Sequence, residues 1–235
     1  MLNSFPVMSE KDKVGAVIVA AGSSQRMGGT DKMFAPLGEQ PLLARVIEVF
    51  QRCDAVDQIV VVLSQPNLEQ GRQLVAKHEW SKVSDVCLGG ERRQDSVKNG
   101  LNHLRHCDWV VIHDGARPLV TAEIIKNGLT AAAETGAAIA AVPVTDTVKV
   151  AGEDQFVHRT LDRQNLWAVQ TPQVFRFAII DEAHHHGQHD VTDDSMLVEQ
   201  LGYRVKLYMG SYNNLKITTP GDLALVNALV SKESR

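Results

Sequence analysis

Short apolar runs alternate along this chain with segments of helical period, and that alternation limits the fold more than any other feature. VGAVIVA at Val14–Ala20 reads as a buried strand, and PLLARVIEVFQRC (41–53) follows with apolar residues at helical spacing and a proline suited to a first turn. QIVVVLS (58–64), VSDVCLGG (83–90), WVVIHD (109–114) and AAIAAVPV (137–144) read as further strands. LEQGRQLVAKH, DSVKNGLNHLRH (95–106) and TAEIIKNGLTAAAET read as the helices between them. The pattern predicts an α/β fold, Rossmann-like, with a predominantly parallel central sheet and helices on both faces, joined by right-handed crossovers. Ligands of such sheets sit beyond the carboxyl ends of the strands. The loops AAGSSQRMGGTDK, LGGERRQDS and HDGARP are therefore where chemistry is expected.

The rhythm breaks at Val144. TDTVKVAGEDQFVHRTLDRQNLWAVQTPQVF holds short strand-like pieces and turn residues, with no room for a crossover helix. It reads as a β-rich excursion or arm projecting from the sheet, the arm spanning about 144–166. Regularity returns with FRFAIIDEAHHHG, DDSMLVEQLG, YRVKLYM and GDLALVNALVSK, read as helix, helix, strand and helix. No linker or repeat divides the 235 residues, so a single domain is expected, with residues 1–13 as an N-terminal extension. A net charge of −4 argues against sequence-independent nucleic-acid binding, which needs clustered Lys and Arg. Three cysteines, Cys53, Cys87 and Cys107, lack disulfide or zinc spacing and read as buried free thiols. There is no signal-peptide core and no run of about 18 apolar residues. A cytoplasmic location, with no membrane partner, is the expectation.

The loop after the first strand carries the clearest chemical signal. Ala20, Ala21, Gly22 and Ser23 let backbone approach a ligand, and successive amide N–H groups can cradle phosphate oxygens. Arg26 and Lys32 add a forked donor and a point charge. A glycine-rich turn with solvated charges is the plainer reading of the same residues. The loop is neither a dinucleotide fingerprint nor a Walker loop, because G-x-G-x-x-G and a closing Gly-Lys-Ser/Thr are both absent.

The pattern A-A-G-x-S-x-R-M-G-x-x-x-K resembles the signature of GT-A-like nucleotidyltransferases. With LGGERRQDSVKNGL, VVIHDGARPLV, PVTDTVK, RTLDRQNLWAVQTPQVF, VTDDSMLVEQLG and GSYNNLKITTPGDL in order, the chain resembles the 2-C-methyl-D-erythritol 4-phosphate cytidylyltransferase family over residues 14–229. A ribitol 5-phosphate cytidylyltransferase branch shares much of this and stands as the alternative. A non-catalytic nucleotide-binding module is the alternative from another class, suggested only by Asn213.

The resemblance implies transfer of CMP from CTP to a polyol phosphate, with pyrophosphate released. It implies Arg26, Lys32, Arg163 and Lys216 as catalytic residues. Ala20, Ala21, Gly22, Ser23, Gly90, Glu91 and Ser96 would bind the nucleotide, with the Gly89–Gly90 turn against the cytosine. Arg117, Thr147, Thr171 and Thr192 would bind the acceptor, Asp114 a divalent metal (magnesium), and Arg93 matches the family's arginine in its segment. Arg163 of the partner subunit would complete each site, so a homodimer is implied. Two positions depart from the pattern. Asn213 replaces the usual Asp, leaving Asp114 the one charged metal ligand, and Gly221 stands where an acidic residue is common, with only a local effect expected. A phosphate nucleophile is already ionised, so no general base is needed, in keeping with the lack of a Ser-His-Asp arrangement.

Other polar residues have structural readings. His184, His185, His186 and His189 are expected at a solvated helix end. His113 alternates away from Asp114 and reads as a packing or hydrogen-bonding residue. Asp193 and Asp194 read as helix caps, and Trp80, Trp109 and Trp167 as core or interface anchors.

Overall fold

A computed structural model describes residue 9 and residues 11–22, 32–186 and 190–233. Among these, seven strands form one sheet in the order β11-β7-β10-β6-β1-β4-β5. They are β1 (Val14–Ala20), β4 (Gln58–Leu63), β5 (Val83–Leu88), β6 (Trp109–Asp114), β7 (Ala137–Pro143), β10 (Trp167–Arg176) and β11 (Lys206–Met209). β1 pairs parallel with both β4 and β6, the arrangement expected of its apolar run. Alternation along β1 sends Ala16 and Ile18 to one core and Val17 to the other, so both faces are apolar and both are covered.

Helices α1 (Leu42–Arg52), α2 (Leu68–His78) and α4 (Ala122–Thr135) pack on the first face. The second face is covered by α3 (Arg93–His103), α5 (Phe177–His186) and α6 (Asp194–Gln200). A small hairpin, β2 (Pro36–Leu37) with β3 (Gln40–Pro41), packs against the last helix, α7 (Pro220–Glu233), on the first side. Helix α3 begins at Arg93, two residues before the expected Asp95, so its first turn falls inside the LGGERRQDS loop. It ends at His103 rather than 106.

One part of the expected excursion is corrected. Residues 167–176 are not arm but β10, a ten-residue strand lying antiparallel between β6 and β7. Gln170, Thr171, Pro172 and Gln173 disguise it, because polar residues and a proline read as loop. The register shifts between Val169 and Gln173, where a proline is tolerated. Gln170, Thr171 and Gln173 are buried there. The remainder of the excursion is the hairpin of β8 (Lys149–Ala151) and β9 (Val157–Thr160), which pair only with each other. Phe156 at its turn is 71% exposed and Val157 58%.

Candidate active site

Two cavities open at the carboxyl ends of the central strands and meet at one carboxylate. The first, of about 510 Å³, is lined by Ala20, Ala21 and Gly22 after β1, by Lys32, and by Gly90, Glu91 and Ser96 around the start of α3. The second, of about 640 Å³, is lined by Arg117, by Trp167 and Thr171 of β10, and by Thr192 and Asp193 before α6. Arg93, Asp114 and Lys216 line both.

The turn after β5 explains its own glycines. A Cβ on Gly89 would stand 2.3 Å from the Ala21 Cβ, and one on Gly90 2.4 Å from the Asp95 Cβ. Only bare backbone lets the first strand's loop, this turn and α3 approach so closely. The Ser96 hydroxyl accepts the Gly90 N–H at 3.1 Å, which fixes the turn to the helix.

Asp114 ends β6 with only 6% of its surface exposed. Arg93 Nε donates to its Oδ1 at 3.1 Å and Lys216 Nζ to its Oδ2 at 2.7 Å, with Arg117 Nε at 3.9 Å. Burial pushes this carboxyl up, but the charges of Arg93, Lys216 and Arg117 outweigh it and hold it well below the usual carboxylate range. Arg93 behaves correspondingly: burial disfavours its charge, and Asp194 and Asp114 more than restore it.

Behind Asp114 runs a chain of hydrogen bonds through a buried histidine. His113 Nε2 lies 3.1 Å from the Arg117 carbonyl, which can only accept, so Nε2 carries the proton. Nδ1 of the neutral ring then accepts from the Thr171 hydroxyl at 3.1 Å, and Thr171 Oγ1 accepts the Asp114 N–H at 3.0 Å. Burial pushes the imidazole down to about 4, keeping it neutral near pH 7. His113 is thus a hydrogen-bonding residue that orients Thr171.

The segment 210–217 is tied to the same place. Buried Asn214 donates from Nδ2 to the Thr171 carbonyl at 2.8 Å and to Gln170 Oε1 at 3.3 Å, and its own carbonyl accepts from Arg117 Nη1 at 2.8 Å. This sets Lys216 on Asp114 and lets Lys32 Nζ donate to the Ile217 carbonyl at 3.0 Å. Neither Asn214 nor Gln170 stood out in the sequence, since burial of an amide shows only when its partners are assembled.

Ser23 and Arg26 lie outside the described residues. Thr147 and Arg163 are exposed and line neither cavity. The Arg163 guanidinium donates to the Thr145 carbonyl of its own arm. Asn213 is likewise exposed and outside both linings, whereas Thr192 lines the second. His184 corrects the expected solvated helix end: it is buried, with Nε2 3.4 Å from Asp194 Oδ1. His185 and His186 are exposed as expected, and His189 is outside the described residues. Asp193 caps α6 by accepting the Met196 N–H, but Asp194 instead takes Arg93 Nη1 at 2.6 Å. Two adjacent acids where one suffices for capping was the available signal.

The cysteines offer no nucleophile. Burial pushes the Cys87 and Cys107 thiols up to about 11 and raises that of Cys53 as well. What the site does offer is positive charge held by fixed partners, between two cavities large enough for two small molecules. That arrangement, at the carboxyl edge of a Rossmann-like sheet, has the charge and space to hold two phosphate groups side by side, and the class it fits is the nucleotidyltransferases. Within that class the chain belongs to the 2-C-methyl-D-erythritol 4-phosphate cytidylyltransferase family, whose model matches residues 14–232.

A relative of that name from Dehalococcoides mccartyi is 51% identical over 221 residues, covering 94% of this chain and 97% of the relative. Among solved structures, the 4-diphosphocytidyl-2C-methyl-D-erythritol synthase of Anaerococcus prevotii superposes with a TM-score of 0.83 at 28% identity, covering 94% of this chain and 96% of that one. The 2-C-methyl-D-erythritol 4-phosphate cytidylyltransferase of Thermus thermophilus gives 0.76 at 31% identity over 92% and 98%.

Proposed function

We propose that this chain transfers CMP from CTP to 2-C-methyl-D-erythritol 4-phosphate, releasing pyrophosphate and forming 4-diphosphocytidyl-2-C-methyl-D-erythritol for isoprenoid biosynthesis. The observation that carries the reading, beside family membership, is that two cavities share Arg93, Asp114 and Lys216. The nucleotide takes the cavity with the Ala20–Gly22 backbone and the Gly89–Gly90 turn. The polyol phosphate takes the cavity with Arg117, Thr171 and Thr192.

An oxygen of the acceptor phosphate attacks the α-phosphorus of CTP, a P–O bond forms, and the bond to pyrophosphate breaks. The nucleophile is ionised at neutral pH, so no side chain need remove a proton. The chain's task is to bring one anion to another, and preorganised cations do this without reorganising water. Lys216 is the side chain best placed for the acceptor phosphate, being 42% exposed and tethered to Asp114 by one contact. Lys32, with Arg26, would hold the triphosphate.

Asp114 is the residue that would hold a divalent cation such as magnesium. Its fit rests on donor chemistry: magnesium takes one or two carboxylates and fills its shell with substrate phosphate and water. Asp114 supplies one carboxylate, and exposed Asn213 adds no charge. Such an ion would neutralise charge on the triphosphate. Three cysteines free of disulfides suit the reducing cytoplasm. Among the described residues no helix is long and apolar enough to cross a membrane. Exposed Thr147, Arg163, Phe156 and Val157 favour a homodimer in which the arm reaches the partner's acceptor cavity.

Pyrophosphate release should be measured with methylerythritol phosphate and ribitol 5-phosphate against all four nucleoside triphosphates. The expected pair is CTP with methylerythritol phosphate. Preference for ribitol 5-phosphate would move the chain to the sister activity, and no release with any pair would leave a nucleotide-binding module.

A further inference from the structure

Asp194 is fully buried, and the reaction gives it no task. Asp193 already caps α6, so helix formation does not require it. A carboxylate withdrawn from water is costly unless paired. Asp194 is paired: Arg93 Nη1 donates to its Oδ2 at 2.6 Å, and His184 Nε2 stands 3.4 Å from its Oδ1. That Nε2 and that Oδ1 have no hydrogen-bond partner among the described residues, so their proximity is the one polar contact each makes. Burial pushes the carboxyl up, and Arg93 and His184 bring it below its usual range.

The same guanidinium faces the reaction. Arg93 Nε donates to Asp114 Oδ1 at 3.1 Å while its Nη1 is held by Asp194. Arg93 opens α3, on the nucleotide side, and Asp194 opens α6, directly after the acceptor-side residues Thr192 and Asp193. A planar guanidinium gripped at two points cannot rotate, unlike one held at a single oxygen. The exposed ion pair Arg92–Asp190 lies between the same two segments, but exposed pairs hold geometry weakly.

We propose that Asp194 is a positioning residue: by holding Arg93 from behind, with His184 against its second oxygen, it fixes the guanidinium on Asp114 and sets the acceptor side in register with the nucleotide side. The inference rests on the cytidylyltransferase reading. A carboxylate serving only as a fold staple would affect unfolding and leave kcat alone.

The test is steady-state pyrophosphate release from CTP and methylerythritol phosphate, at a temperature where circular dichroism shows each variant folded. Asp194→Asn keeps the shape and removes the charge. Its kcat should fall roughly 10- to 100-fold while KM for CTP stays within about threefold, the signature of lost alignment rather than lost binding. His184→Gln, which keeps an N–H donor, should stay close to wild type, and His184→Leu should lose roughly tenfold. Because Asp194 is argued to act through Arg93, the double variant Arg93→Lys/Asp194→Asn should be no more than about threefold slower than Arg93→Lys alone. Multiplicative losses, or wild-type kcat in folded Asp194→Asn, would overturn the proposal. If Asp194→Asn does not fold, His184→Leu decides: an unchanged kcat refutes it, and a tenfold loss rescued in His184→Gln supports it. Failure of the unsubstituted chain to release pyrophosphate would remove the cytidylyltransferase reading and this inference together, an outcome distinct from failure in the variants alone.

Discussion

Asp114 and Arg163 are both candidate site residues, yet the molecule holds them on opposite terms. Asp114 sits at the end of a central strand, with its backbone N–H on Thr171 and its two oxygens on Arg93 and Lys216. Arg163 sits on an exposed arm whose two strands pair only with each other, and its guanidinium reaches back to the Thr145 carbonyl. The first is preorganised by its own chain, because burial forces every polar group to find a partner. The second lacks a packed surface in the single chain, and an isolated hairpin is marginal in water. The contrast teaches that one part of the candidate site is preorganised within the single chain, whereas Arg163 of the arm lines neither of its cavities.

The sharpest way to break the comparison is to remove the preorganised charge. Asp114→Asn should lower kcat by on the order of 10³-fold or more, since it takes away the anion that Arg93 and Lys216 share and, on the proposed reading, the carboxylate that would hold a divalent cation. The loss should be only partly recovered by raising magnesium. Steady-state rates across a magnesium titration check this, and an activity near wild type would mean that the two cavities do not meet at the reacting atoms.

Next in size is the arm. Arg163→Ala and Lys32→Ala should each lose roughly 10²-fold in kcat by analogy with removing one charge-stabilising donor. Mixed and allowed to exchange subunits, they should recover towards about a quarter of wild-type activity if the proposed homodimer shares its sites, because half of such dimers would be mixed and each would have one intact site. No recovery despite exchange, shown by a tagged subunit, would place Arg163 in its own subunit's site or in none.

A smaller effect separates the regions by pH. The His113 imidazole is held down to about 4 by burial, against about 6.5 in the unfolded chain. A depressed pKa means that the unfolded state takes the proton first, so stability is fully present above about 6.5 and is lost as pH falls towards 4, by on the order of 3 kcal/mol. His113→Gln should flatten that part of a urea-midpoint profile while lowering stability at pH 7. A profile as steep as wild type would show that another group titrates there.

The smallest expected effect on the fold comes from the arm's apolar tip. Phe156→Asp should shift sedimentation towards monomer and reduce activity at low protein concentration, yet leave the unfolding midpoint of the isolated subunit within a few degrees, since Phe156 packs on nothing in its own core. A large fall in that midpoint would mean that the arm stabilises its own subunit.

The order of strands and helices was legible in the chain because period and length are local properties: VGAVIVA, QIVVVL and WVVIHD can satisfy their backbones and bury both faces in few other ways. The strand-end loops were legible for the same reason, since small residues beside a cation after a strand are a local signal, and Ala20, Ala21, Gly22, Lys32, Gly90, Glu91 and Ser96 do line one cavity there. β10 was not, because Gln170, Thr171, Pro172 and Gln173 look solvated until β6, β7 and Asn214 supply their partners. Nor were Asp194 and His184, whose burial depends on α3, α5 and α6 converging on one guanidinium. The sequence by itself determined the alternation of parallel strands and helices and the loops that follow those strands, but not β10. Only the tertiary structure decided which polar side chains are buried and paired, because the cost of leaving water is met by groups that lie far away in the chain.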